Sequence, residues 1–242
     1  MMAGISLARK AVRLPLRLIP NSAIVPILAG PLRGAKWIVG SQRHAFWLGI
    51  YESYLQQLLV RHVTPGSIFF DVGANVGLYS LLASKLVEDG KVVAFEPDPA
   101  NVAFLKRHLI LNRVANVTVL DCAITDKEGT GSFSDESTHA MGHLEVNGKL
   151  SVATATIDAL LQRQAIPPPT HIKMDIEGEE FRALIGSGEC FREYRPTLFL
   201  ATHGVVVHQD CCQLLQSWSY RIEVISRECD DRAELFAVPA NS

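Results

Sequence analysis

The segment from Phe69 to Gly77, Phe-Phe-Asp-Val-Gly-Ala-Asn-Val-Gly, has the residue types of a ligand-binding turn. The apolar residues before Asp71 predict a buried strand, and a helix should begin near Leu78. At such a turn, glycines allow a ligand to lie against the backbone, and the amides at the helix start face that ligand. Gly73 and Gly77 therefore predict a binding site where this strand ends.

Three successive predicted strands end in acidic residues, which are Asp71, Glu96 and Asp121. A dinucleotide fingerprint would require Gly-x-Gly-x-x-Gly to hold a diphosphate, but this turn reads Asp71-x-Gly73-x-x-x-Gly77. An acid beside the turn favours a cationic ligand without phosphate, and S-adenosylmethionine has a ribose, an ammonium and a sulfonium. We expect Asp71 to hold the ammonium, directly or through water, while Glu96 binds the ribose diol and Asp121 the adenine amino group.

A second group of polar residues lies in the segment 171–180, His-Ile-Lys-Met-Asp-Ile-Glu-Gly-Glu-Glu. While the backbone stays extended, Lys173, Asp175 and Glu177 share one face. Because a charge inside a covered strand is costly unless it is paired, we expect these residues at the open carboxyl end of the sheet. The alternative is structural: Lys173 and Asp175 would form an ion pair, and Glu177 would cap the next helix.

His203 follows the predicted strand 197–202 and is a candidate general base, because histidine exchanges protons near neutral pH. The alternative is a loop residue with only a hydrogen-bonding role. No group of His, Cys and acidic residues has metal-ligand spacing, so no metal site is predicted. Five cysteines without CxxC spacing imply neither a disulfide framework nor a zinc cluster, which suits a reducing cytoplasm.

Predicted strands and helices alternate along most of the chain, which indicates an α/β fold. Apolar runs such as 68–70, 92–94 and 198–200 are continuous, as expected for strands covered on both faces. The pattern predicts a doubly wound, Rossmann-like, mostly parallel sheet whose last two strands form an antiparallel pair. The predicted strands are 68–72, 91–96, 117–121, 171–175, 197–202, 220–226 and 233–238. The predicted helices are 46–63, 77–87, 99–111, 179–186 and 208–217, with Asp98 as the N-cap of the third.

Residues 125–149 interrupt this alternation with a stretch rich in Ser, Thr, Gly, Asp and His, and a β-prone segment, 150–155, follows. A long polar segment between core strands often forms a substrate loop or lid. A solvent-exposed β-hairpin is the equal alternative.

The composition fits one globular unit, with 242 residues of which 48% are hydrophobic and 20% charged. We divide the chain into a basic N-terminal lead-in with a helix, residues 1–66, and a ligand-binding domain, residues 67–242. The net charge of −2 carries no signature of nucleic-acid binding. No apolar run reaches the ~18 residues needed to span a bilayer, and the start of the chain lacks the features of a signal peptide.

The N-terminal segment 8–19 mixes cations with aliphatic residues. Seven Lys and Arg residues, but no Asp or Glu, precede Glu52. This segment is either an arm that packs on the domain or a peripheral contact with an anionic membrane surface. The expected location is the cytoplasm, including attachment to the inner face of a membrane as one alternative.

Four segments together resemble the FkbM-type S-adenosylmethionine-dependent methyltransferases. They are Phe70-Asp-Val-Gly-Ala-Asn-Val-Gly-Leu-Tyr79, Ala94-Phe-Glu-Pro97, Thr156-Ile-Asp158 and Ile172-Lys-Met-Asp-Ile-Glu-Gly-Glu179. The resemblance covers about residues 46–205 and implies a seven-stranded methyltransferase sheet with an antiparallel last strand. It also implies O-methylation of a hydroxyl on a sugar, glycoconjugate or polyketide. The residues it assigns to the cofactor are Asp71, Gly73, Ala74, Asn75, Gly77, Glu96 on the ribose, and Asp175 beside the transferring methyl.

Methyl transfer to a hydroxyl is an in-line displacement, so the site must align the reacting groups and exclude water. Asp175 or His203 would accept the hydroxyl proton, with Lys173 orienting the acid and Glu177 on the same face. The acceptor would be a small molecule or a glycan- or lipid-linked molecule. A nicotinamide-dependent oxidoreductase and a non-catalytic adaptor for a membrane or a complex are the competing interpretations.

Overall fold

The computed structural model describes residues 16, 18–134, 143–144, 150–229 and 232–240. The predicted membrane-contacting segment 8–19 lies outside the described residues except for Leu16, Leu18 and Ile19. Of the predicted polar stretch 125–149, residues 135–142 and 145–149 lie outside them as well. None of the helices in the described ranges has both the length and the apolarity that a bilayer span requires.

Strands and helices are numbered here in chain order. The strands are β1 (Ile24–Pro26), β2 (Lys36–Ile38), β3 (Ile68–Val72), β4 (Lys91–Phe95), β5 (Val117–Leu120), β6 (Ala123–Ile124), β7 (Gly129–Ser134), β8 (His143–Leu144), β9 (Leu150–Ala155), β10 (His171–Met174), β11 (Thr197–His203), β12 (Tyr220–Cys229) and β13 (Arg232–Pro239). The helices are α1 (His44–Leu48), α2 (Ser53–His62), α3 (Leu78–Val87), α4 (Pro99–Leu111), α5 (Ile157–Gln162), α6 (Glu180–Ile185), α7 (Gly188–Glu193) and α8 (Val205–Ser217).

A seven-stranded sheet in the order β12-β13-β11-β10-β3-β4-β5 forms the centre of the fold. The strands from β11 to β5 run parallel, whereas β13 is antiparallel to both β11 and β12. The prediction of a mostly parallel, doubly wound α/β sheet with an antiparallel C-terminal pair is confirmed. The strand order reverses between β3 and β10, and open α/β sheets bind ligands at the carboxyl ends of strands at such a point.

Successive residues of the central strands alternate between two hydrophobic cores, one on each face of the sheet. On β3, Phe69 packs into one core and Phe70 into the other, and both side chains are fully buried. This two-sided burial explains the continuous apolar runs in the sequence. Trp37, Phe46 and Leu59 belong to the same core as Phe69, so the lead-in packs directly on the sheet.

The prediction of one helix over residues 46–63 is wrong, because two helices, α1 and α2, occupy this region. Gly49 ends α1 in a left-handed conformation, with φ at 77°, and a Cβ there would lie 2.1 Å from the carbonyl oxygen of Ala29. Glu52 is also left-handed, with φ at 41°, and precedes α2. The break depends on a tertiary contact with Ala29, which helical periodicity does not record.

Residues 123–155 contribute a second sheet, in the order β6-β9-β7-β8. The strands β7 and β9 pair antiparallel, with Gly129 opposite Thr154. The β-prone segment 150–155 is therefore β9, and the described part of this region favours the hairpin alternative.

Asp98 caps α4 as predicted, because its Oδ1 accepts a hydrogen bond of 2.7 Å from the amide of Ala100. The short helices α5 and α7 were not predicted, and α8 begins three residues earlier than expected.

Candidate active site

A cavity with about 980 Å³ of empty space, part of it open to solvent, lies at the carboxyl ends of β3, β4 and β10. The lead-in closes one side of the cavity through Phe46, Tyr51 and Glu52. The predicted site residues among the walls are Gly73, Ala74, Asn75, Glu96, Lys173, Asp175 and Glu177.

The turn after β3 approaches the end of β10 closely. Gly73 has a φ of 79°, and a Cβ at this position would lie 2.0 Å from the backbone carbonyl oxygen of Asp175. Only glycine meets both conditions at low cost. The amides of Gly73 and Ala74 both donate to the carbonyl of Phe95 at 3.0 Å, so the turn is also tied to the end of β4. The glycine thus allows three strand ends to meet at one cavity.

Glu96 is a buried carboxylate in the cavity wall, with 4% of its surface exposed. Its Oε2 accepts a hydrogen bond of 2.7 Å from the amide of Asn75, and its Oε1 accepts one of 2.9 Å from the amide of Asp98. Burial raises the pKa of Glu96 to about 7, although both backbone hydrogen bonds act in the opposite direction. The two amides fix the carboxylate in one orientation at the turn.

Lys173 links Asp71 to Asp175 inside the protein. Its ammonium lies 4.0 Å from Oδ1 of Asp71 and 3.4 Å from Oδ2 of Asp175, and its side chain is 4% exposed. Burial lowers the pKa of Lys173, but the two carboxylates outweigh that effect and raise its pKa above the usual value. Burial raises the pKa of Asp175, but Lys173 and other nearby cations outweigh this effect and hold its pKa below the usual range.

Asp71 itself is fully buried and lies beneath Lys173. Its Oδ2 accepts a hydrogen bond of 2.6 Å from the hydroxyl of Ser80, and burial raises its pKa despite the attraction of Lys173. Within the part of the chain that the structure describes, Asp71 is not one of the residues lining the cavity. It contacts the site through the lysine.

The lead-in completes the environment of Lys173. The ammonium lies 5.0 Å from the ring centroid of Tyr79, and the hydroxyl of Tyr79 donates a hydrogen bond of 2.6 Å to Oε2 of Glu52. Burial, followed by the charge of Glu52, raises the pKa values of both Tyr51 and Tyr79 above their usual value. Both phenols therefore stay protonated at neutral pH and act as hydrogen-bond donors.

His203 stands at the end of β11 among three acids and an arginine. The antiparallel register pairs His203 with Arg232 of β13, and Nη2 of Arg232 lies 2.6 Å from Nε2 of the imidazole. Nδ1 lies 2.8 Å from Oε1 of Glu180, which is fully buried. Burial lowers the pKa of His203, but its hydrogen bond to Glu180 and the surrounding carboxylates raise that pKa above the usual value.

Glu177 and Asp175 approach His203 from the cavity side. The Nε2 atom lies 3.3 Å from Oε2 of Glu177 and 3.7 Å from Oδ1 of Asp175. Glu177 does not cap α6, because its carboxylate accepts hydrogen bonds of 3.2 and 3.3 Å from Arg232. Asp175, Glu177 and His203 each offer an atom that could bind a metal ion, within 4.8 Å of one another. The guanidinium of Arg232 already supplies a positive charge to this group.

Three further residues of the predicted site, Asp121, Gly77 and His203, are not among the described residues that line the cavity, and His203 adjoins it through Asp175, Glu177 and Arg232. Asp121 forms an exposed ion pair of 3.0 Å with Lys106, because the chain turns after β5 and presents Cys122 to the cavity instead. The predicted contact of Asp121 with an adenine therefore finds no support in its position. Gly77, with a φ of 92°, begins α3, and a Cβ there would lie 3.0 Å from the side chain of Leu105.

The sequence reasoning missed Glu180 and Arg232 as site residues. Glu180 lies in the polar segment 171–180, but a glutamate at a helix start is common, so nothing in the sequence distinguishes it as a site residue. Arg232 reaches the site only through the register between β11 and β13. Side-chain contacts across that pair of strands could not be read from the sequence.

Comparison with known proteins places the chain among the methyltransferases. Residues 71–222 match the family model of the methyltransferase FkbM domain. The chain is 24% identical over 183 residues to the hexuronic acid methyltransferase AglP of Haloferax volcanii, and the match covers 74% of each protein. It is 37% identical over 81 residues to the 31-O-demethyl-FK506 methyltransferase FkbM of Streptomyces tacrolimicus, covering 32% of this chain and 31% of that relative.

Solved structures show the same fold. The crystal structure of methyltransferase FkbM from Methylobacillus flagellatus has a TM-score of 0.50 and 22% identity, over 71% of this chain and 43% of that chain. This chain thus spans less than half the length of that protein. Aeropyrum pernix fibrillarin, solved with natively bound S-adenosyl-L-methionine, has a TM-score of 0.51 and 13% identity, over 76% of this chain and 74% of that one. Because the matched family region runs from the end of β3 into β12 and covers more than half of the chain, the chain belongs to the FkbM methyltransferase family.

Proposed function

We propose that this chain is an S-adenosylmethionine-dependent O-methyltransferase that modifies a hydroxyl of a sugar, a glycoconjugate or another small-molecule acceptor. The observation that carries the proposal is Glu96. A buried carboxylate, fixed by the amides of Asn75 and Asp98 in the wall of a cavity at the strand ends, is suited to a ribose diol.

The charges of the cavity fit a cationic nucleoside better than a dinucleotide. Its walls include the carboxylates of Glu52, Glu96 and Asp175. The two cationic side chains among the described wall residues, Lys173 and Arg232, are both engaged in ion pairs. These carboxylates would repel the negative charges of a diphosphate, whereas they would attract a sulfonium and an ammonium. The family match likewise favours methyl transfer over hydride transfer.

Several residues of this chain would hold the cofactor. The backbone from Gly73 to Asn75 would lie against it, Glu96 would accept from the ribose hydroxyls, and Asp175 would lie beside the reacting methyl group. When bound, S-adenosylmethionine supplies an electrophilic methyl group on a positively charged sulfur. Asp71 would act through Lys173, whose ammonium it helps to hold next to Asp175. Alignment of this kind can supply about 7–11 kcal/mol of the barrier reduction.

His203 is a better candidate than Asp175 for the base that accepts the hydroxyl proton. The pKa of Asp175 is lowered by Lys173 and by other cations, which makes its carboxylate a weak base. The pKa of His203 is raised by three surrounding acids, which makes its imidazole a stronger base near neutral pH. Glu177 would hold Arg232 beside the imidazole. The positive charge of Arg232 serves this group of acids, and we propose that no metal ion is required.

The acceptor would enter on the side formed by the lead-in and Arg232. Phe46 and Tyr51 stack with ring centroids 4.0 Å apart, and both line the cavity, so they offer a flat apolar surface. Relatives named for a hexuronic acid and for 31-O-demethyl-FK506 support a small-molecule or sugar acceptor. The test is incubation with methyl-labelled S-adenosylmethionine and fractionated lipid, carbohydrate and small-molecule extracts. Label in one of these fractions would identify the acceptor class, and absence of label from every fraction would oppose the proposal.

We also propose a cytoplasmic location with peripheral membrane contact through the lead-in. Leu28 and Ile50, which are 51% and 61% exposed, flank the contact between Ala29 and Gly49. Exposed aliphatic residues in a region rich in cations suit an anionic bilayer surface. Sedimentation with anionic vesicles, compared with neutral vesicles, would test this contact, and equal sedimentation with both would oppose it.

A further inference from the structure

Glu180 is a fully buried carboxylate that contacts both His203 and the turn after β10. Its Oε1 accepts hydrogen bonds from the amides of Ile176 and Gly178 at 3.2 and 3.1 Å, in addition to its 2.8 Å contact with Nδ1 of His203. The same carboxylate therefore joins the turn that carries Glu177 to the imidazole at the end of β11.

The two shortest polar contacts of His203, with Glu180 and Arg232, select one arrangement of its protons. A carboxylate only accepts hydrogen bonds and a guanidinium only donates them. Nδ1 faces the carboxylate of Glu180 and must carry hydrogen. Nε2 lies 2.6 Å from the guanidinium of Arg232 and 3.3 Å from the carboxylate of Glu177, and the shorter contact, with Arg232, is satisfied when Nε2 offers its lone pair. Both contacts are satisfied together by the neutral imidazole with hydrogen on Nδ1, which leaves Nε2 as the proton acceptor.

We propose that Glu180 is a positioning residue that fixes His203 with hydrogen on Nδ1, so that Nε2 accepts the proton of the acceptor hydroxyl. This inference rests on the proposed function. In the reaction, the hydroxyl oxygen forms the new C–O bond and the electron pair of the broken C–S bond stays on sulfur. The hydroxyl proton passes to Nε2, where the acceptor hydroxyl replaces the guanidinium of Arg232 as donor. The resulting imidazolium has the carboxylate of Glu180 as its partner at Nδ1.

The charged groups that face His203 come from three elements. Glu180 lies on α6, Asp175 and Glu177 follow β10, and Arg232 begins β13. On α8, His208 contacts the hydroxyl of Thr202 at 3.0 Å. Of these groups, Glu180 is the one that contacts Nδ1. Its removal should therefore change the protonation of the imidazole more than a general loss of negative charge would.

A purely structural role for Glu180 is the alternative, since its carboxylate also organises the turn 176–178. Asp158 provides a matched control, because its carboxylate likewise accepts from two backbone amides, those of Glu189 and Cys190 at 2.9 and 2.8 Å. It contacts no imidazole among the described hydrogen bonds. Glu180→Gln removes a fully buried charge and Asp158→Asn a half-buried one, and each of these carboxylates accepts from two backbone amides.

The decisive measurement is nuclear magnetic resonance of the histidine ring nitrogens in the full-length protein, with His203→Gln used for assignment. We expect the neutral imidazole of His203 to carry hydrogen on Nδ1, and we expect its pKa to fall in Glu180→Gln because the hydrogen bond and the charge of the carboxylate are lost. The pKa should not move in Asp158→Asn. A wild-type imidazole with hydrogen on Nε2, or an unchanged pKa in Glu180→Gln, would overturn the proposal. Because the wild-type spectrum suffices for the first result, the test survives misfolding of a variant.

Kinetics with an identified acceptor give a second readout. Glu180→Gln should lower kcat by about 10²-fold, with little change in the affinity for S-adenosylhomocysteine, and the acid limb of the pH profile should move to lower pH. A loss of cofactor affinity with an unaltered pH profile would indicate a structural role and contradict the proposal. Failure of the wild-type protein to bind S-adenosylhomocysteine would oppose the proposed function instead. The resonance measurement would still report on Glu180.

Discussion

Replacement of Lys173 by Met tests whether the buried ion pairs connect folding to the cavity. At an effective dielectric constant of about 20, Coulomb attraction is about 5 kcal/mol for the 3.4 Å pair with Asp175 and about 4 kcal/mol for the 4.0 Å pair with Asp71. Desolvation of the three groups offsets much of this attraction. Removal of one partner, however, leaves two carboxylates without their cation, and loss of a buried partner costs about 3–5 kcal/mol.

We therefore expect Lys173→Met to lower the free energy of unfolding by about 3–5 kcal/mol, as measured by urea denaturation. The double variant Asp71→Asn/Lys173→Met should recover part of this loss, because the most buried of the unpaired charges is then absent. Lys106→Met is the matched control, since the pair of Lys106 with Asp121 is half exposed on both sides. Its loss should cost about 0–1 kcal/mol.

The same variants report on the cavity by calorimetry with S-adenosylhomocysteine. Lys173→Met should weaken its binding, because Asp175 loses the ammonium that holds it beside the turn at Gly73. Lys106→Met should leave the affinity unchanged. If Lys173→Met were as stable as the wild-type protein and bound the ligand equally well, the coupling inferred from these ion pairs would be refuted.

Four other perturbations address single features of the site. In urea denaturation, Gly73→Ala should lower the free energy of unfolding more than Gly34→Ala does. Both glycines have a positive φ, but at Gly73 a Cβ would also lie 2.0 Å from the carbonyl oxygen of Asp175, whereas at Gly34 it would meet no atom within 4 Å. Equal losses in the two variants would refute the close approach. Because burial raises the pKa of Glu96 to about 7, the folded protein retains a proton that the unfolded chain releases above about pH 4.5. The contribution of Glu96 to stability is therefore fully present below the unfolded pKa and declines as pH rises to about 7. S-adenosylhomocysteine should bind more tightly above pH 7, where the ionised carboxylate accepts from the ribose. Calorimetry from about pH 6 to 8 should show a rise in affinity that Glu96→Gln removes, and a rise that persists in the variant would exclude Glu96 as its cause. His203→Ala should retain cofactor binding and lower turnover by about 10²–10⁴-fold, and unchanged turnover would exclude His203 from the mechanism. Asp71→Ala should abolish cofactor binding, because Lys173 loses its support, and unchanged affinity would exclude that role for Asp71.

The sheet could be predicted from the sequence because its signals are local. The residues of β3, β4 and β11 are apolar on both faces, and a parallel sheet with helices on both sides is the arrangement that buries such strands. Asp98 followed by Pro99 marks a helix start for the same local reason. The break at Gly49 could not be predicted, because it depends on the backbone of Ala29, twenty residues earlier in the chain.

The candidate site was predictable where residues adjoin strand ends. Gly73, Glu96, Lys173 and Asp175 all follow from the rule that carboxyl ends of parallel strands meet at one edge. Asp121 follows the end of β5 just as Glu96 follows the end of β4, but its side chain pairs with Lys106 and does not line the cavity. Asp71 lies within β3 and not after it, so its side chain is fully buried and contacts the site through Lys173. Arg232 depends on antiparallel register, which no local signal fixes.

The central claim is that the carboxylate-walled cavity accepts an adenosine bearing a positively charged sulfur, or its demethylated product, rather than a dinucleotide. Isothermal titration calorimetry of the purified protein with S-adenosylhomocysteine, beside a titration with NAD, measures this directly. We predict saturable binding of S-adenosylhomocysteine at one site per chain and no measurable binding of NAD. A folded protein that binds NAD, or that shows no affinity for S-adenosylhomocysteine, would contradict the account.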